Sequence, residues 1–85
     1  MASSLILAAL ADDFTGAVEL AAMLRSGGAR TRLVVGPAAI PANIGDDQAL
    51  VVALRSRVAP PGEAAAAAEE AMERLRPHQP RMLFL

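Results

Sequence analysis

The chain has 85 residues, a net charge of −1, 2% aromatic residues and no cysteine. That length suits one small domain or part of one, and a small domain buries a modest share of its surface, so marginal stability is the default. Without cysteine no disulfide can form and thiolate metal sites are excluded; without a basic balance or stacking aromatics nucleic acid is not an expected partner; and no apolar stretch reaches the ~20 residues that span a bilayer.

Met1-Ala2-Ser3-Ser4 lacks the basic region of a secretory leader. The apolar run that follows is broken at Asp12-Asp13. A cytoplasmic location is therefore expected. Leu5–Leu10 is a short, continuous apolar run that predicts a strand buried on both faces. Ala17, Leu20, Ala21 and Leu24 recur at helical spacing and predict a helix. Asp13 or Thr15 can cap its start, and Gly27-Gly28 stops it. Thr31–Val35 reads as a second strand. Gly36–Asp47, with its prolines, glycines and aspartates, reads as a connecting loop with room for a short helical turn.

Ala49–Leu54 is a third apolar strand, followed at once by Arg55-Ser56-Arg57. Pro60-Pro61-Gly62-Glu63 opens a second helix, where proline is tolerated and an acid complements the dipole. It runs to about Arg76, with Ala64, Ala68, Ala71, Met72 and Leu75 on its buried side and Glu70 paired with Arg74 on the exposed side. Arg81–Leu85 begins another strand. The order β-α-β-β-α-β argues for an α/β domain with an open, mostly parallel sheet of about four strands, incomplete as it stands. An unpaired apolar strand such as Met82–Leu85 offers an edge for self-association.

In such sheets ligands bind outside the C-terminal strand ends. Asp12-Asp13-Phe14-Thr15-Gly16 follows the first strand and Arg55-Ser56-Arg57 the third. If both strands are parallel, the two clusters share one edge. A polyol acid suits that edge. Guanidinium groups of Arg55 or Arg57 pair with its carboxylate, Asp12 and Asp13 accept from its hydroxyls, and Gly16 admits it to the backbone. A carboxylate beside a hydroxyl can also orient or deprotonate it, so Asp12 and Asp13 are the catalytic candidates. A helix cap plus solvated charge explains the same aspartates, and the two arginines can be surface charges. His78, between prolines, reads as an ordinary loop residue, Met72 and Met82 as core filler, and Asp46 and Asp47 as turn residues.

Other motifs are missing. There is no lysine, hence no P-loop of the G-x-x-x-x-G-K type, and no G-x-G-x-x-G. The adjacent aspartates are not the D-x-D of haloacid-dehalogenase phosphatases. A receiver domain needs an aspartate after strand three, where this chain carries arginines.

Ala11-Asp12-Asp13-Phe14-Thr15-Gly16-Ala17, straight after an apolar strand, resembles the opening motif of the four-carbon acid sugar kinases. The similarity continues through Leu24 and Gly28 to Thr31. It resumes at Val51–Arg57, where relatives tend to carry an A-L-K-S-R-like stretch. The resemblance implies the N-terminal, substrate-binding part of a kinase that moves a phosphoryl group from ATP, with Mg²⁺, to a hydroxyl of threonate, erythronate or 3-oxo-tetronate. Asp12, Asp13, Thr15 and Gly16 would match the family's first substrate motif, and Arg55, Ser56 and Arg57 its second. Two departures are Glu19, where relatives often have Asp, and Arg55, where lysine is common and a titratable point charge is lost. The nucleotide-binding domain of relatives has no counterpart here, so ATP and Mg²⁺ are expected in the full-length enzyme and not on this piece. The piece alone is expected to be inactive. The alternative is a non-catalytic module that binds a small hydroxy acid or a partner.

Overall fold

The computed structural model describes residues 5–54 and 60–84. Strands β1 (Leu7–Ala11), β2 (Thr31–Val35), β3 (Ala49–Ala53) and β4 (Met82–Phe84) alternate with helices α1 (Phe14–Ser26) and α2 (Pro61–Leu75). Short 3₁₀ turns lie at Pro37–Ala39 and Arg76–His78. All strand pairs are parallel, in the order β2-β3-β1-β4. The α/β reading from the sequence therefore holds.

Helix α1 starts where Asp13, in extended conformation, turns its carboxylate onto the backbone N–H of Gly16 at 2.6 Å. Of the two cap candidates, Asp13 and Thr15, the structure uses Asp13. The helix ends in a Schellman arrangement. Gly28 N–H donates to Arg25 O, Ala29 N–H donates to Leu24 O, and Gly28 takes φ of +96°, a value glycine reaches without steric penalty. Helix α2 has proline in its first turn, Glu63 at its positive end and the expected Glu70–Arg74 pair at 2.9 Å.

The two helices pack on opposite faces. Ala17 and Ala21 of α1 meet Val51 and Ala53 of β3. Ala71 and Leu75 of α2 meet Ala8, Leu10, Leu50, Val52 and Leu54. This is the period of two expected of a strand covered on both sides: even positions of β3 face α2 and odd positions face α1. Fully burying a Leu or Val of this kind contributes roughly 1.5–3 kcal/mol.

The segment between β2 and β3 is more than a connector. Ile40 and Ile44, both buried, insert into the α2-side core. That places the β2-to-β3 crossover on the same face as α2. Crossovers running from β2 towards β4 thus use the α2 face, and the one running from β1 back to β2 uses the α1 face. All three therefore share one hand, as the strong preference for right-handed connections requires.

Three side-chain expectations are corrected. Met72 and Met82 are not core filler: both are exposed, at 40% and 48%. Met72 lies beyond the arc of α2 that Ala71 and Leu75 bury, and Met82 lies on an edge strand. His78 is not an ordinary loop residue. It is buried, and its Nε2 meets Pro41 O at 3.0 Å, joining the turn after α2 to the β2–β3 segment.

Candidate functional site

In a sheet with helices on both faces, the loops leaving two neighbouring strands diverge at the switch point and open a crevice there. Here the switch point lies between β1 and β3. They are hydrogen-bonded neighbours with Ala11 level with Ala53, yet β1 leads to α1 on one face and β3 to α2 on the other. The ladder extends one step further, with Leu54 N–H donating to Ala11 O at 2.7 Å. Adjacent strands stand about 4.8 Å apart. The chain therefore leaves the sheet at Asp12 on one strand and after Leu54 on the other, side by side.

Asp12 is exposed, and no described residue engages its carboxylate in a hydrogen bond or ion pair. Asp13 is half-buried and fixed by its cap to Gly16. Thr15 and Gly16 lie in the exposed first turn of α1, where the helix dipole favours negative charge. Gly16 also has a local reason to be glycine: a Cβ there would sit 3.3 Å from the capping oxygen of Asp13. Phe14, to which the sequence reading gave no role, presents 56% of its surface beside these groups. Glu19 is exposed one turn along. Arg55, Ser56 and Arg57 lie outside the described residues, so only their attachment to the edge through Leu54 is fixed.

Asp46 and Asp47 are separate from this edge. Asp46 pairs with Arg30 and Asp47 with Arg32, at the N-terminal end of the strands. Their reading as turn residues agrees with that placement. A hollow of about 400 Å³ also opens at the N-terminal end, between Leu7, Leu24, Ala29 and Met82. It contains no carboxylate and no cation, so the acidic motif and not the hollow marks the chemistry.

A family described as the sugar-binding N-terminal domain matches residues 7–85. The chain belongs to this domain family of the four-carbon acid sugar kinases. It is 46% identical over 98% of its length to a 3-oxo-tetronate kinase of Burkholderia multivorans. It is 44% identical over 93% of its length to a 3-oxo-tetronate kinase of Pseudomonas savastanoi pv. phaseolicola. It is 45% identical over 84% of its length to one of Cupriavidus necator. The sugar-binding domain piece spans only 19%, 19% and 17% of those proteins respectively. Among the described residues no helix is long and apolar enough to cross a membrane.

Proposed function

We propose that this chain is the sugar-acid-binding portion of a cytoplasmic kinase that phosphorylates a hydroxyl of a four-carbon sugar acid of the 3-oxo-tetronate type. The observation that carries the reading is the position of Asp12-Asp13-Phe14-Thr15-Gly16 at the β1/β3 switch point, in a chain 46% identical to a 3-oxo-tetronate kinase.

The two aspartates divide the work. Asp13 is committed to Gly16 and holds the first turn of α1 in place. Asp12 is the carboxylate at hand to accept from a substrate hydroxyl, orienting it or taking its proton. The exposed start of α1, with Thr15 and Gly16, receives further oxygen atoms of the substrate. Arg55 and Arg57, which follow β3 in the sequence, are proposed to supply the cations that pair with its carboxylate, and Ser56 a hydroxyl.

ATP and Mg²⁺ are assigned in this reading to the remainder of the kinase, because the sequence has no lysine and no P-loop motif. The isolated chain is expected to show no ATP-dependent turnover.

Thermal unfolding with and without threonate, erythronate and 3-oxo-tetronate tests the reading. A ligand held only by the folded state stabilises it by about 2.7 kcal/mol at a hundredfold excess over Kd. A saturable rise in Tm, lost in Asp12→Asn and Arg57→Ala, is the expected result. A rise that survives both substitutions would place the ligand elsewhere and defeat the assignment.

A further inference from the structure

Phe14 stands where the packing of this fold does not explain it. Helix α1 buries Ala17 and Ala21 against β3, with Leu20 and Leu24 partly covered beside them. Phe14 lies seven residues before Ala21, which brings it back to within about 20° of the same direction round the helix. It therefore continues the sheet-facing stripe of α1. The sheet does not continue beneath it: β1 ends at Ala11 and β3 at Ala53, while α1 begins at Phe14, beyond both ends. Cα–Cβ bonds in a helix tilt towards its N-terminus, and that carries the ring further past the strands. The ring is 56% exposed for this reason, although it sits on the inner side of its helix.

The nearest charged group along the chain in that direction is Asp12. Asp13, between the two, is extended, with φ of −146° and ψ of 159°. At the rise of an extended chain the Cα atoms of Asp12 and Phe14 are about 6.6 Å apart. The carboxylate of Asp13 is taken by Gly16 N–H. One short segment thus brings a carboxylate and an apolar ring together at the β1/β3 switch point.

We infer that Phe14 is the apolar wall of the sugar-acid site and sets the orientation of the ligand. The inference rests on the sugar-acid reading above and deepens it. A four-carbon sugar acid carries hydrogens as well as hydroxyls on its carbons, so a hydroxyl held by Asp12 leaves C–H bonds for the ring to meet. The face of an aromatic ring is the negative part of its quadrupole. It attracts those hydrogens and repels a carboxylate, so the acid group of the ligand turns away from α1. The ring also keeps water from the bond between Asp12 and the hydroxyl, and such a bond is stronger in a drier surrounding.

Ligand-observed NMR on this chain tests the inference, with threonate, erythronate and 3-oxo-tetronate as the probes. The chain has two phenylalanines, Phe14 and Phe84, one histidine and no tyrosine or tryptophan. Saturating the aromatic protons and reading transfer to the C–H protons of the ligand therefore reports the contact on the unmodified protein. Transfer is expected, lost in Phe14→Leu and kept in Phe84→Leu. Phe14→Ala should weaken binding roughly tenfold, the loss of about 1.4 kcal/mol. With the ring more than half exposed, the Phe14 variants should melt close to the parent when no ligand is present. Binding that is lost in Asp12→Asn but shows no aromatic transfer, or is equally tight in Phe14→Ala, would overturn the inference and leave the sugar-acid reading standing. A free Phe14→Ala chain that melts well below the parent would mark the ring as a packing element and overturn it too. No binding of any of the three acids would defeat the sugar-acid reading and this inference with it.

Discussion

Asp13→Ala should loosen the start of α1 more than Asp13→Asn does. The alanine variant removes the oxygen that accepts from Gly16 N–H at 2.6 Å. That bond is exposed, so water replaces part of it, and loss of such a cap is typically worth ~1 kcal/mol within a range of about 0.5–2. The effect reaches the core because Ala17, one residue past Gly16, is fully buried against the β3 face. For a domain of this size 1 kcal/mol moves Tm by roughly 4–8 °C. Asparagine keeps a side-chain oxygen in place and ranks with aspartate as a cap, losing only the charge at the helix start, about 0.3–1 kcal/mol. Far-UV circular dichroism melts of the three proteins in one buffer give the comparison. Equal losses for Ala and Asn, or no loss for Ala, would refute the assignment of Asp13 as the cap. The same pair informs the site. If Asp13 acts mainly by holding the turn, Asp13→Asn should bind sugar acid far better than Asp12→Asn does.

Other substitutions separate scaffold from site. Gly16→Ala sets improved helix propensity, up to ~1 kcal/mol, against a Cβ 3.3 Å from the capping oxygen, so Tm should change little while any sugar-acid-induced shift is lost. Leu50→Ala empties a fully buried position between the sheet and α2 and should cost ~2–5 kcal/mol by urea denaturation. At a usual stability of ~0.05–0.15 kcal/mol per residue, that is a large share of the total. His78→Ala removes a buried ring and its bond to Pro41 O, and should destabilise by ~1–3 kcal/mol with no effect on ligand affinity measured on the folded fraction. Arg32→Ala breaks a partly exposed pair with Asp47, and its effect should stay below ~1 kcal/mol and shrink in high salt.

The elements were legible because their apolar residues are dense and their boundaries chemically marked. Thr31–Val35 was placed to the residue, and α2 was bounded by Pro60-Pro61 and Pro77. Burial that depends on neighbours distant in sequence is not contained in the local pattern. Met72 sits at a helical spacing that joins the apolar stripe, but it borders an open hollow with Leu75 and Leu83 and stays exposed. His78 lies between two prolines, a loop context, and its burial follows from Pro41, 37 residues away. Ile40 and Ile44 were hidden among prolines, glycines and aspartates. Their spacing of four was the one available sign that the segment has an inner side.

The site was legible in one half and conditional in the other. Asp12 and Asp13 are marked by the abrupt end of an apolar strand, and that is a local fact. Their relation to the arginines after β3 depended on strand direction and order, which periodicity does not contain. The small residues of β1 account for the strand order. Its sequence Leu-Ala-Ala-Leu-Ala pairs with β3 throughout and with β4 over Leu7–Ala9, and its alanines let α1 and α2 lie close on opposite faces. Once β1 is central and β3 its neighbour, two helices leaving on opposite faces must diverge between Ala11 and Ala53. The acidic motif therefore stands at the crevice because of where the strand before it packs. Substitutions that enlarge Ala8 or Ala9, both buried, should disturb the site through the sheet without touching a site residue.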